Sequence, residues 1–126
     1  MPAKPKLEVA LSFLRLASSG KVSEAFERYV VRSGFRHHNP HFRGDADSLK
    51  KGMMEAHRKF PHTNLEVIRV FESEENIAVH SRVVHATDQP EIAVVHIFAF
   101  SGDRISELWD VGVQAPKDSP NENGLF

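Results

Sequence analysis

The order of periodic segments predicts an α+β fold, with helices first and a curved antiparallel sheet after them. Apolar residues recur at helical spacing through the first 60 residues, then at a period of two in runs rich in Val, Ile and Phe. The breaks between those runs are short enough for hairpins. A chain of 126 residues has the length of one domain, and such a domain buries roughly two-thirds of its unfolded surface.

Each element has its own signal. Leu7, Ala10, Leu11, Leu14 and Ala17 form the stripe of a first helix, which Ser18-Ser19-Gly20 ends with a glycine cap. Val22, Ala25, Phe26, Tyr29 and Val30 mark a second helix, closed by Gly34. Residues 35–42 hold three histidines with Asn39 and Pro40. The Asn-Pro step disfavours helix, so a short extended piece entering a loop is expected. Asp45 or Asp47 caps a third helix, whose stripe runs through Leu49, Met53, Ala56, His57 and Phe60 until Pro61 stops it. Strands follow over 63–71, 77–87, 92–100 and 104–113, in the pattern of an antiparallel meander.

Composition narrows the function. Apolar residues at 40% and charged residues at 26% are a globular balance. With 16 basic and 17 acidic side chains and no basic run, neither nucleic acid nor an anionic membrane is an expected partner. The absence of cysteine excludes disulfides and thiolate chemistry. Leu7 to Leu16 is broken by Glu8, Ser12 and Arg15, so it reads as an amphipathic helix and not as a signal peptide. No stretch approaches the ~20 apolar residues of a membrane span. A cytoplasmic location is expected.

Alternation sorts the strand residues into faces. Ala78, His80, Arg82 and Val84 lie opposite Ile77, Val79, Ser81, Val83 and His85. The next strand divides into Ile92, Val94, His96, Phe98 and Phe100 against Ala93, Val95, Ile97 and Ala99. The last sets Ser106, Leu108, Asp110 and Gly112 against Ile105, Glu107, Trp109, Val111 and Val113. Both faces are largely apolar, and such a sheet needs two covers. Helices supply one, and a second copy of the chain is the simplest other. A homodimer through the sheet is expected, on a face made of Val79, Val83, Val95, Ile97, Trp109 and Val111.

His80, His96 and Asp110 stand out on these faces. A buried carboxylate needs a partner, and imidazole is a natural one; the pair is also an acid–base unit near neutral pH. Whether His96 meets Asp110 depends on register. A two-residue Gly102-Asp103 turn sets His96 opposite Trp109, whereas a longer connection or a β-bulge sets it opposite Asp110. His37, His38 and His41 cluster in sequence, but their spacing matches no strong ligand motif, and neighbours in a strand point to opposite faces. No metal is expected. No phosphate loop, nucleophile elbow or dinucleotide fingerprint is present, so no nucleotide cofactor is expected either.

The segment His37-His38-Asn39-Pro40 with Gly44, the strand Ile77-Ala78-Val79-His80, and the ending from Gly102 to Val111 with its Trp109-Asp110 pair resemble SnoaL-like proteins of the NTF2-like superfamily. The resemblance covers about residues 7–116 and leaves a loose tail, 117–126. It implies a cone of four long antiparallel strands plus a short one, wrapped by three N-terminal helices, usually dimeric, with a pocket inside. In the polyketide cyclases of this family an aspartate on the last strand is the base of an intramolecular aldol condensation, without metal or organic cofactor; Asp110 matches it. A histidine on the preceding strand matches His96, and His38 and His80 match positions in or near the pocket. Two departures stand out: His37 replaces a frequent glutamine, and His96 replaces an acid found in many relatives.

The expected function is therefore acid–base chemistry on a small apolar carbonyl compound, as an aldol-type cyclase, isomerase or dehydratase. Asp110 is the base, His96, His80 or His38 the donor to the enolate oxygen, and Asn39, Met53, Phe98, Phe100 and Leu108 the substrate contacts. The alternative is a module of the same fold that binds a small ligand or dimerises without catalysis.

Overall fold

The computed structural model describes residues 4–126. Its elements run α1 (Lys6–Ser18), α2 (Val22–Tyr29), β1 (Arg36–His37), α3 (Ala46–Lys59), β2 (Asn64–Glu72), β3 (Asn76–Val84), β4 (Ile92–Ser101) and β5 (Arg104–Gln114). The strands form one unclosed sheet in the order β1-β5-β4-β3-β2. The four long strands are an antiparallel meander, and the short β1 joins the β5 edge in parallel. The sheet is thus mixed, not purely antiparallel.

The helices obey their end signals with one exception. α1 buries Val9, Ala10, Phe13, Leu14 and Ala17. It ends in a Schellman turn: Lys21 N–H donates to the Leu16 carbonyl and Gly20 N–H to Ala17, with Gly20 at φ 90°. α3 starts at Asp45, whose carboxylate accepts the Ser48 N–H at 2.9 Å. α2 departs from expectation and stops at Tyr29 instead of running to Gly34. Val30 is extended, because it bridges to Ile105 beside the sheet.

The core lies where α1 and α2 cross the concave face. Phe13 meets Phe26 and Phe98 edge to face, at 5.4 and 6.1 Å between centroids. Ile77, Val79, Ile105 and Leu108 complete it. α3 sits further along the sheet. Leu49 and Gly52 are buried, while Met53, Ala56 and His57, expected in the core stripe, line an open cavity.

The register of the last hairpin places the site. Ser101 pairs with Arg104 across a two-residue turn, and Phe100 with Ile105. The register then shifts by one residue, so that Ala99 pairs with Glu107 and His96 with Asp110. Both alternatives open in the sequence are therefore realised: the tight turn and, at Ser106, a bulge that undoes its parity. Ile105 and Leu108 consequently both face the core.

Two face assignments need correction: the bulge turns Ile105, which alternation groups with Trp109, to the core face, and part of the expected dimer face lies inside. Val79 and Val83 belong to the concave face, since Val79 pairs with His96 and is fully buried. The convex face carries His80 and Arg82 from β3, Val95 and Ile97 from β4, and Trp109, Val111 and Val113 from β5. Phe126, at the end of the chain, lies on that face, stacked 5.5 Å from His80 with the Arg82 guanidinium 4.4 Å from its ring centre.

Candidate functional site

Between α1, α3 and the wide end of the sheet lies a cavity of about 820 Å³. Leu14, Met53, Leu65, Val83, Ile92 and Val94 supply most of its apolar wall. Its polar groups include Asn39, His96 and Asp110, together with His41, His57, Thr63, His85 and Gln114.

Asp110 is held from β1's side of the sheet. β1 runs parallel to β5, with His37 beside Leu108, so pleat alternation sends His37 inward, His38 outward and Asn39 inward again. Asn39 Nδ2 donates to Asp110 Oδ2 at 3.1 Å. The amide can present only this end, because Asn39 Oδ1 already accepts the His41 N–H at 3.0 Å. His37 is buried beneath this loop. Its Nδ1 accepts the Asn39 N–H at 3.1 Å, so its Nε2 carries the proton and donates to the Arg43 carbonyl. The chain His37–Asn39–Asp110 leaves Asp110 Oδ1 without a protein partner among the described residues and available to a ligand.

His96 faces Asp110 across the β4–β5 ladder, and no hydrogen bond joins them. Its Nδ1 is buried and unpartnered among the described residues. A ligand in the cavity therefore meets the ring through Nε2. Burial pushes the His96 pKa down to about 4, with the Asp110 charge acting in the opposite direction. At neutral pH the ring is an uncharged N–H donor.

This has a consequence for stability. The unfolded chain protonates His96 near 6.5, the folded chain only near 4, so between those values the unfolded state holds the extra proton. Stability falls as pH drops through that window, by about 1–2 kcal/mol from pH 7 to 5. His85, also lowered by burial, acts with the same sign. Urea melts should show the loss above the carboxylate range, and His96→Gln should flatten most of it. An unchanged slope in that variant would contradict the assignment.

Several residues expected in the pocket lie elsewhere. Phe98 and Leu108 are buried in the core, and Phe100 packs against it, with the Lys6 ammonium 5.7 Å from its ring centre. They sit on the concave face but at its narrow end, under α1 and α2. His80 is on the convex face, where its Nδ1 lies 2.9 Å from an Arg69 guanidinium nitrogen. His38 is outside for the same reason of parity. It stacks on Trp109 at 5.0 Å and lies 2.6 Å from Glu107 Oε2, which Arg36 also reaches at 3.0 Å. The His38 hydrogen bond, then Arg36, holds the Glu107 carboxyl below its ordinary value. The rings of His37 and His38 thus turn to the Arg43 carbonyl and Glu107, His41 lines the cavity, and among the described residues no group of three His, Asp or Glu is arranged to hold a metal ion.

His57, His85 and Thr63 line the cavity without having been expected there. A signal existed for His85, which shares a pleat face with Val79 and Ser81 and so lies on the His96 side once β3 and β4 are registered.

No protein-family model matches the sequence, and no curated protein matches it. Solved structures match its shape. An NTF2-like protein of unknown function from Cytophaga hutchinsonii superposes with a TM-score of 0.69 at 15% identity, over 90% of this chain and 95% of that one. A SnoaL-like protein of unknown function from Burkholderia thailandensis gives 0.69 at 16%, over 90% and 99%. A candidate SnoaL-like polyketide cyclase from Jannaschia sp. CCS1 gives 0.67 at 17%, over 89% and 90%. Likeness at these identities is likeness of backbone, and this chain has the α+β fold shared by SnoaL-like and NTF2-like proteins.

Proposed function

We propose that the cavity binds a small, largely apolar carbonyl compound and removes a proton from the carbon next to its carbonyl. The observation that carries this reading is the carboxylate of Asp110, fixed on one oxygen by Asn39 and open on the other to an apolar cavity. A base needs that combination of fixed aim and a free lone pair. Asp110 Oδ1 takes the α-proton, and the electron pair of the C–H bond moves onto the carbonyl oxygen as an enolate. His96, neutral and opposite Asp110, donates Nε2–H to that oxygen.

The fate of the enolate sets the reaction. Return of the proton at another carbon is an isomerisation. Attack of the enolate carbon on a second carbonyl in the same molecule is an aldol cyclisation, and loss of a β-hydroxyl is a dehydration. None of these consumes a cofactor. The likeness to a candidate polyketide cyclase supports the aldol member of this set.

The convex face supports a homodimer. Val111 and Val113 are 64% and 55% exposed there, next to Trp109, Val95 and Ile97. No helix among the described residues is long and apolar enough to cross a membrane.

A panel of cyclic and linear diketones incubated with the protein and followed by mass spectrometry tests the catalytic reading. Conversion that Asp110→Asn abolishes supports it. Binding across the panel without conversion replaces it by a ligand-binding function. Within the catalytic reading, Asn39→Ala should lower kcat about tenfold with KM little changed, since it frees the base without removing it. Equal kcat in the variant would show that Asn39 does not aim Asp110.

A further inference from the structure

The far end of the cavity carries a second polar arrangement that the proton-abstraction chemistry does not use. Thr63 Oγ1 lies 2.9 Å from the Phe60 carbonyl and 3.0 Å from His85 Nδ1. A hydroxyl has one hydrogen, and the carbonyl can only accept, so the Thr63 proton goes to Phe60. Thr63 Oγ1 must then accept from His85, which places the ring proton on Nδ1. His85 Nε2 is left as a bare acceptor, with no partner among the described residues. The ring stacks on Phe60 at 4.9 Å and 18°, so its aim is fixed by packing as well as by the hydrogen bond. Burial lowers the His85 pKa, in keeping with a ring that stays neutral and keeps this lone pair.

The position relative to Asp110 follows from the ladder. Asp110, His96 and Val79 lie in one row across β5, β4 and β3. Val79, Ser81 and Val83 run along β3 away from that row, and His85 lies just past the strand's end at Val84, held by Thr63 and lining the far end of the cavity. Between the two ends the wall is apolar, through Val94, Val83, Ile92 and Leu65. The cavity is thus an elongated slot whose strand wall is apolar between its ends, with an acid–base group at one end and the unpartnered His85 acceptor at the other, near Gln114.

We propose that His85, its tautomer set by Thr63, is a binding subsite for a hydroxyl at the distal end of an elongated apolar ligand. The inference rests on the reading of this cavity as a ligand site, and it narrows the ligand class to a ring system or chain with its carbonyl at the Asp110 end and a phenol or alcohol at the other. A hydroxyl satisfies Nε2. A methyl ether has no hydrogen to give and leaves it bare, and such a mismatch at a hydrogen-bonding site separates analogues more strongly than a change of size.

A pair of fluorescent probes tests this without turnover: 4,4′-dihydroxystilbene and its mono-methyl ether, 4-hydroxy-4′-methoxystilbene. Both can place one phenol at the Asp110 end, and only the diol has a second to give. The wild-type protein should bind the diol on the order of three- to tenfold more tightly. His85→Phe keeps the stacking on Phe60 and should remove the preference while leaving the affinity for the ether within about twofold. Thr63→Val retains the imidazole but releases its tautomer and should shrink the preference; it reads the same point should His85→Phe fold poorly. Asp110→Asn should keep the preference, which separates this subsite from the chemistry. Equal affinities in the wild type, or a preference that survives both His85→Phe and Thr63→Val, would overturn the subsite. Failure of both probes to bind up to their solubility would overturn the ligand-site reading beneath it.

Discussion

Asp110→Asn should bind a non-reactive ketone analogue nearly as the parent does and lose on the order of a hundredfold or more in turnover. The amide is isosteric with the carboxylate and keeps one oxygen, but it cannot take up a proton from carbon. The cavity wall and His96 are untouched, so ground-state binding has no reason to change. The Asn39 contact behaves differently: an amide oxygen still accepts from Asn39 Nδ2, without the charge that strengthens the bond. Stability sharpens the test. A carboxylate set in an apolar cavity for its reactivity is a cost to the fold, so the melting temperature of the variant should hold or rise. Were Asp110 there for structure, the weakened charge-assisted bond would lower stability by roughly 1.5–3 kcal/mol and spare activity per folded molecule. A variant less stable yet fully active would sink the assignment of Asp110 as the base.

The second large effect is expected at the convex face. The parent protein should be a dimer at about 10 μM by light scattering, and the double variant Val111→Lys/Val113→Lys should weaken the dimer at least on the order of a hundredfold. Two uncompensated ammonium groups per protomer, brought against two more in a face-to-face contact, would lose their hydration with no partner. Both positions are more than half exposed in the single chain, so folding of the protomer should change by no more than about 0.5 kcal/mol. A parent protein that scatters as a monomer, or a double variant that dimerises as tightly, would contradict the interface.

How much of this could be read from the residues alone depends on the length scale. The helices, the four long strands and their hairpin breaks follow from local periodicity, and the Asp45 cap and the Gly20 terminus follow from local chemistry. Which strand residues share a face was also legible, because alternation is built into the pleat, except at Ile105, which alternation groups with Trp109 and the bulge turns to the core beside Leu108. What was hidden was which apolar face turns inward. His80 and His96 were both credible pocket residues until the longer loop between β3 and β4 set Val79, and not His80, beside His96. The same register moved Val79 and Val83 from the expected dimer face into the interior. Phe98 and Leu108 were on the right face but at the wrong end, since helix placement along the sheet is a tertiary matter. The bulge was open in the sequence as one of two registers, and nothing local decided between them. It is centred on Ser106, with no glycine to mark it, in a strand that otherwise alternates regularly.

That bulge has a further consequence for how the molecule can vary. From Glu107 to Gln114 the even positions turn inward, Leu108 to the core and Asp110, Gly112 and Gln114 to the cavity floor, and the odd positions turn to the convex surface. An insertion or deletion of one residue between Gly102 and Asp110, with the pairing to β4 otherwise kept, exchanges the two sets. Trp109 and Val111 would then point inward, while Asp110 would face outward, beside Val95 after an insertion and beside Ile97 after a deletion. Chemistry and association are therefore written on one strand as odd and even positions of a single count. Substitutions can tune either property separately, but a change of length in this hairpin must alter both at once.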